Sequence, residues 1–363
     1  VLAVALTAVS SVTLLPALLG FMGMRLLSRR ERRRLVQNGR REGYVQGFWE
    51  RLGTFVSRRP AVLTVSALIV MIALASPFLD LRLGLSDAGN DPASSTTRQA
   101  YDLLSDGFGP GFNGPLLLVA RVGSPGANAA LQRLAEDLRR ETGVAAVAPA
   151  PSQPGAEVAV VQVIPTTAPQ DELTSDLINR LRTDVIPAAQ AGSDLQVLVG
   201  GGTAFFDDFG AVVKSKLPLF IGIIVALGFL LLFVAFRSLV VPATAALMNL
   251  LAAAASIGVV VAFFQWGWGS DRLGLGRAGP VEAFLPVIML AVLFGLSMDY
   301  QVFLVSRMHE EWVHTRDNRR AVIAGQAATG RIITAAAAIM ICVFGAFIFG
   351  GQRVVAQFGV GLA

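Results

Sequence analysis

The stretch AFLPVIMLAVLFGLSMDYQVFLVSR, Ala283 to Arg307, decides how the rest of the chain is read. Apart from Asp299 and Gln301 it is apolar or small until Ser306 and Arg307. Its roughly 25 residues, at about 1.5 Å each, cross a hydrocarbon core of about 30 Å with some tilt. Asp299 lies well inside the run, about 12 Å of helix rise before Arg307. A carboxylate in a bilayer costs at least about 2.5–3.5 kcal/mol, so such residues generally face a bundle interior and act there. The bland alternative is a helix that ends at Asp299 in the cytoplasm. Seven uncharged residues between Asp299 and Arg307 argue against it.

Composition points the same way. Of 363 residues, 54% are hydrophobic and only 15% charged, with a mean hydropathy of +0.61. A soluble domain carries nearer 25% charge, so the class is membrane protein. The net charge of +5 is unevenly placed. Arg29, Arg30, Arg32, Arg33, Arg34, Arg40 and Arg41 directly follow an apolar run, which fits a cytoplasmic juxtamembrane segment and not nucleic-acid binding. Cys342 is the only cysteine, so there is no disulfide framework. His309 and His314 lack a third clustered ligand and read as a solvated face, not a metal site. The chain starts at Val1 and stops at Ala363 inside apolar runs, which reads as an internal fragment of a longer membrane protein.

Residues 1–27 read as the end of a transmembrane helix, and residues 28–60 as a basic cytoplasmic linker. Within the linker Phe48, Trp49, Leu52, Phe55 and Val56 fall at helical spacing. That spacing predicts a short amphipathic helix in the membrane interface, anchored by Trp49. A second span follows at 61–79.

From 80 to 214 the composition changes to that of a soluble domain. Gly114–Val122, Val144–Ala150, Glu157–Pro165 and Leu195–Gly200 read as strands, the middle two joined across Pro151–Gly155. Two helical patterns intervene, one through Leu131, Leu134, Ala135 and Leu138, the other through Leu173, Leu177, Ile178 and Leu181. The order is β-α-β-β-α-β, the split βαβ or ferredoxin-like α+β pattern. From 215 to 363 membrane character resumes, with spans near 217–236, 240–264, 283–307 and 332–350 and a truncated one from 354. A charged loop, His309 to Arg331, is expected before the fourth of these. Arginine bias puts the Arg29–Arg34 cluster, Arg237 and the Arg307–Arg331 group inside, and the soluble domain and the Trp266/Trp268 loop outside.

A mid-membrane carboxylate can take a proton from one side and release it to the other as hydration changes. Tyr300 points about 100° around the helix from Asp299 and serves a neighbouring element, as relay partner or packing aromatic. Gly295, one turn before Asp299 on the same face, would let another helix approach closely. Arg307, His309, Glu310 and Glu311 read as a solvated helix exit with a snorkelling arginine. Gly200-Gly201-Gly202-Thr203 lacks the lysine of a phosphate loop and reads as a hinge between outer domain and membrane. Asp207-Asp208 reads as helix N-terminal charge, since no third metal ligand clusters there.

The run GLSMDYQVFLVSRMHEEW, Gly295 to Trp312, closely resembles the distal Asp-Tyr helix of the MMPL (mycobacterial membrane protein large) transporters of the resistance–nodulation–division superfamily. FRSLVVPATAALMNLLAAAASIGV (Phe236 to Val259) and GGTAFFDDF (Gly201 to Phe209) resemble the flanking segments. The resemblance covers essentially the whole chain. It implies a polytopic α-helical bundle with an extracytoplasmic porter domain, in a twelve-span exporter built of two similar halves. This chain would run from the end of the sixth span into the twelfth. Asp299 and Tyr300 would form half of a proton relay, facing a matching Asp-Tyr helix in the N-terminal half that this sequence lacks.

The expectation is therefore proton-driven export of lipids or other hydrophobic molecules across a bacterial cytoplasmic membrane, without enzymatic activity. No cofactor or metal is expected beyond the proton gradient; the partners are membrane lipids and a hydrophobic substrate, with a homo-oligomer left open. Three other readings compete: a SecDF-like auxiliary of protein translocation, a sterol-sensing-like receptor, and an intramembrane aspartyl protease. The last needs two apposed membrane aspartates, and Asp299 is the only one in a confident span.

Overall fold

In a computed structural model, residues 2–22, 47–149, 156–270 and 273–363 are described. The arginine cluster of Arg29 to Arg41 and the Pro151–Gly155 turn lie outside them. Among the described residues five helical stretches are long and apolar enough to cross a membrane: Pro60–Asp80, Gly202–Phe236, Val240–Gln265, Leu285–Thr315 and Asn318–Ile348. The chain is a multi-pass helical membrane protein carrying an α+β domain between its helices.

The elements run α1 (Leu2–Met22), α2 (Phe48–Arg58), α3 (Pro60–Ala75), β1 (Leu83–Gly84), α4 (Thr96–Phe108), β2 (Leu116–Arg121), α5 (Pro125–Arg140), β3 (Val144–Pro149) and β4 (Val158–Pro165). They continue with α6 (Glu172–Arg180), α7 (Ile186–Gln190), β5 (Gln196–Gly200), α8 (Gly202–Phe236), α9 (Val240–Val260), β6 (Val281–Glu282), α10 (Leu285–Thr315), α11 (Asn318–Ile348) and α12 (Arg353–Leu362).

The α+β domain carries a four-stranded antiparallel sheet in the order β3-β4-β2-β5. The period-two alternation of β2 turns Leu116, Leu118 and Ala120 into the core. There they meet Leu131, Leu134 and Leu138 of α5 and Leu177 and Ile178 of α6, all part of one buried cluster. Ser124 caps α5, its hydroxyl accepting from Ala127 N–H at 3.1 Å, with Pro125 at the first helical position. Helix α4, amphipathic but with Leu103, Leu104 and Phe108 exposed, is an addition to the elements expected from sequence.

Two expected boundaries are corrected. The domain was expected to end at 214 and a span to begin near 217. Instead β5 passes through Gly201, at φ +97, straight into a continuous 35-residue helix. Lys214 and Lys216 interrupt the hydropathy but leave the helix intact, because lysine is a good helix former. Likewise the charged loop from His309 to Arg331 is helical except at Arg316 and Asp317. Arg316 takes a left-handed φ of +53, and Asp317 caps α11 through Arg319 N–H at 2.9 Å. Charge alone ends no helix, and Arg307–Glu310 (2.7 Å) and Arg320–Glu311 (3.3 Å) pair along and between the two helices.

The bundle packs around α9, where Asn249, Ala253, Ile257 and Val260 are buried. Close approaches use small residues: a Cβ on Gly258 would meet Leu74 O of α3, and one on Gly228 of α8 would meet Met298 Cε of α10. The amphipathic helix expected at Phe48–Val56 is present as α2, and half-buried Trp49 also packs on a neighbouring helix. Its ring lies over Gly330 of α11, and Gly53 faces the Ile323 backbone, so the α2 face is used for helix packing.

Candidate functional site on helix α10

Four faces of α10 meet four environments. Ser297 and Gln301, one turn apart, both donate to Asn249 Oδ1 of α9, at 2.6 and 2.8 Å. Met298 presses on Gly228 of α8. Tyr300 turns toward α11, its hydroxyl 4.0 Å from Met340 Sδ. Gly295 and Asp299 share the remaining face and are exposed, with nothing within 4 Å of a Cβ built on Gly295. At 100° per residue, Ser297 and Gln301 fall on the side opposite Asp299. The amide of Asn249 thus holds the back of the helix whose front carries the carboxylate. Among the described residues no helix closes on Gly295, so the close approach expected there is not made within this chain.

The pin is a buried polar network in an apolar bundle. Asn249 is 2% exposed, and its Nδ2 and Gln301 Oε1 are buried without a partner. Sequence reasoning missed it, although Asn249 is the only amide in the apolar run 240–264 and Ser297 and Gln301 flank Asp299 symmetrically.

A second cluster, also missed, sits at the N-terminal end of α10. β1, which leads into the α+β domain, pairs in parallel with β6, which leads into α10. Glu282 is fully buried there. Ser86 N–H donates to its Oε1 at 3.1 Å, the Ser86 hydroxyl contacts the same oxygen, and Oε2 has no hydrogen-bond partner. From α12, Gln357 Oε1 accepts the Glu282 N–H at 3.2 Å. Arg353, also buried, donates to Phe264 O and Gly279 O, both at 3.1 Å, and stacks on Phe264. Burial pushes the Glu282 carboxyl up to about 7, against the opposing pull of the Ser86 hydrogen bond and the Arg353 charge. Single charges bordering apolar runs look like solvated helix ends, and only the fold brings these three together.

The other sequence candidates resolve differently. Asp208 pairs with Arg182, at 2.6 and 2.9 Å, and ties the foot of α8 to the outer domain. Among the described residues no three of His, Cys, Asp and Glu come together as a metal site. His314 Nδ1 lies 2.7 Å from Glu310 O, on the solvated end of α10.

The MMPL family model matches residues 1–76 and 119–363. Membrane protein YdfJ of Bacillus subtilis is 37% identical over the whole chain, which covers 48% of that relative. The mycolic acid-containing lipids exporter MmpL11 of Mycolicibacterium smegmatis is 33% identical, again over the whole chain and over 38% of its own length. The heme uptake protein MmpL11 of Mycobacterium tuberculosis gives the same figures, 33% and 38%. The chain therefore spans less than half the length of these curated relatives. With the family model covering most of its residues, the chain belongs to the MMPL family.

Proposed function

We propose that this chain is part of a proton-motive-force-driven transporter that exports lipids or other hydrophobic molecules across the bacterial cytoplasmic membrane, with Asp299 and Tyr300 as half of its proton relay. The observation that carries the reading is the geometry of α10. Its carboxylate stands mid-helix on an open face while Asn249 holds the opposite side. An Asp-Tyr helix from the rest of the protein would close that face, with Gly295 permitting close contact. Proton exchange at Asp299 would then change helix packing, as in rocking of repeats around a central site. The strand order of the outer domain supports a ferredoxin-like porter module on the outside, fed by α8 running from the domain into the bundle. The relatives' names, a lipid exporter and a heme uptake protein, both concern large, largely apolar cargo.

The test is transport by the whole protein in sealed membrane vesicles with an imposed proton gradient. Wild type should move a lipid probe and Asp299→Asn should not, at equal protein level. Gradient-independent transport, or an Asp299→Asn variant that transports normally, sinks the relay. Gradient-dependent secretion of a protein cargo with no lipid movement favours the SecDF-like reading.

A further inference from the structure

We propose that Glu282 is a second proton-binding group, and that the clasp it seals between β1 and β6 is a proton-responsive joint between the outer domain and the outer end of α10. The inference rests on the transport reading in taking the outer domain as a moving part. Its geometry is independent of Asp299, which lies about 21 Å of helix rise beyond the start of α10.

The segment entering the α+β domain, the end of the helical stretch continuing α9, the entry to α10 and helix α12 meet at this point. Val281 N–H donates to Arg82 O at 3.0 Å and Ala283 N–H to Gly84 O at 2.8 Å. Gln265, at the end of the helical stretch continuing α9, accepts from Arg82 N–H at 2.9 Å and donates to Asp80 O at 2.7 Å. Ser86 of the segment entering the outer domain, Glu282 at the entry to α10, and Gln357 of α12 then share one hydrogen-bonded chain. The two backbone hydrogen bonds contribute only about 0.5–1.5 kcal/mol each, and Gln265 and Asn90, which donates to Ala278 O at 3.0 Å, add to them. The carboxyl that bridges to Ser86 makes the closure of the clasp depend on its protonation.

Charge decides the state of that carboxyl. The charged residues on the elements around it are Arg353 of α12, Arg277 of the preceding loop, and Arg82 and Asp87 beside β1. Of these, Arg353 lowers its proton affinity, and desolvation outweighs it. With Oε2 buried and unpartnered, the shut clasp favours the neutral acid. An open clasp exposes the group to water, where its affinity returns to that of an ordinary glutamate. By linkage the shut form is favoured in acid and loses ground as pH rises from the ordinary glutamate value of 4.5 through about 7. The shut-to-open ratio should fall on the order of a hundredfold over that range.

The experiment places spin labels on the exposed residues Leu198 of the outer domain and Leu273 of the outer loop, as Leu198→Cys and Leu273→Cys in a Cys342→Ser background. Distances are measured in the whole protein in nanodiscs from pH 5 to pH 9. The wild-type distance distribution should broaden as pH rises from 5 toward about 7 and change little above that. Glu282→Gln, neutral at every pH, should hold the acid-form distribution throughout. Ser86→Ala removes the hydroxyl contact that helps hold the clasp shut but keeps the Ser86 N–H, and should move the midpoint to lower pH. Asp299→Asn should leave the titration untouched, so a failed relay and a failed clasp give different results. A wild-type distribution that ignores pH overturns the inference, as does a Glu282→Gln protein that still titrates. Should Glu282→Gln not reach the membrane, an unmoved midpoint in Ser86→Ala overturns it.

Discussion

Asn249 of α9 receives Gln301 of α10 at 2.8 Å, on the side of the helix directly opposite Asp299. Rotation of α10 that carried Asp299 toward or away from a partner would have to stretch this contact and the 2.6 Å one from Ser297. Asn249→Ala removes both. Interhelical hydrogen bonds in membranes average about 0.6 kcal/mol and reach about 1.7, so a modest loss of thermal stability in detergent is expected. A larger drop in transport than in stability would mark Asn249 as setting the register of α10. Unchanged transport would make it packing alone.

The docking of α2 on α11 depends on Gly330. A Cβ there would stand 2.6 Å from Trp49 Cε3, so Gly330→Leu cannot be accommodated without displacing the ring. A loss of about 1–3 kcal/mol is expected, the range for overpacking. Protease cleavage near residues 47–58 should rise in Gly330→Leu. Adding Trp49→Ala should restore part of the stability, since it opens the space the leucine needs. An unaltered cleavage pattern would show that α2 does not rest on α11 in the membrane.

Whether the outer domain folds alone depends on where it is cut. Ala204 is fully buried in its core and Thr203 Oγ1 donates to Gly114 O at 3.0 Å, both from the first turn of α8. The Arg182–Asp208 pair adds a tie one turn on, though it is largely exposed and worth little. A soluble piece from residue 88 to 213 should therefore exceed one ending at 200 by about 1–3 kcal/mol in urea denaturation. Equal stabilities would remove the start of α8 from the domain.

Much of the fold was legible, for identifiable reasons. Leu116, Leu118 and Ala120 alternate, and Leu131, Leu134 and Leu138 recur at helical spacing, so the sheet and its first helix leave a periodic trace. What hydropathy cannot report is helix length beyond the bilayer, which is why Lys214 and the charges from His309 to Arg331 were taken for boundaries. Asp299 announced itself as a charge where none is cheap. Asn249, Glu282 and Arg353 did not, because an amide or an end-of-run charge costs little until the fold buries it. Their partners lie between 48 and 196 positions away, beyond any local pattern.

Orientation follows from exposed positions on either side of the bundle. Asp194 lies on the turn before β5 and Arg319 at the start of α11, and both are exposed. In a Cys342→Ser background, an impermeant thiol reagent on intact cells should label Asp194→Cys and spare Arg319→Cys. Labelling of Arg319→Cys alone would invert the arginine-bias assignment and put the outer domain inside.

Tyr300 separates structure from transport more cleanly than Asp299 does. Among the described residues its hydroxyl reaches only Met340 Sδ, at 4.0 Å, a weak acceptor at long range. Tyr300→Phe keeps the ring and its packing against α11, so stability should change by less than about 0.5 kcal/mol, the range of substitutions that touch no strong contact. If the hydroxyl serves only that sulfur, transport is also unchanged. If it hydrogen-bonds in the proton path, transport slows at full stability, because a net hydrogen bond of about 0.5–1.5 kcal/mol is lost only in the assembled relay. The comparison to make is the ratio of transport rate to protein level for Tyr300→Phe, Asp299→Asn and Arg307→Gln in the same vesicles. Arg307 pairs with Glu310 on an exposed helix end, so its loss should be mild on both measures. The expected order of transport is Arg307→Gln near wild type, Tyr300→Phe reduced, and Asp299→Asn absent. A Tyr300→Phe protein that transports at the wild-type rate leaves Asp299 as the only relay residue on this helix.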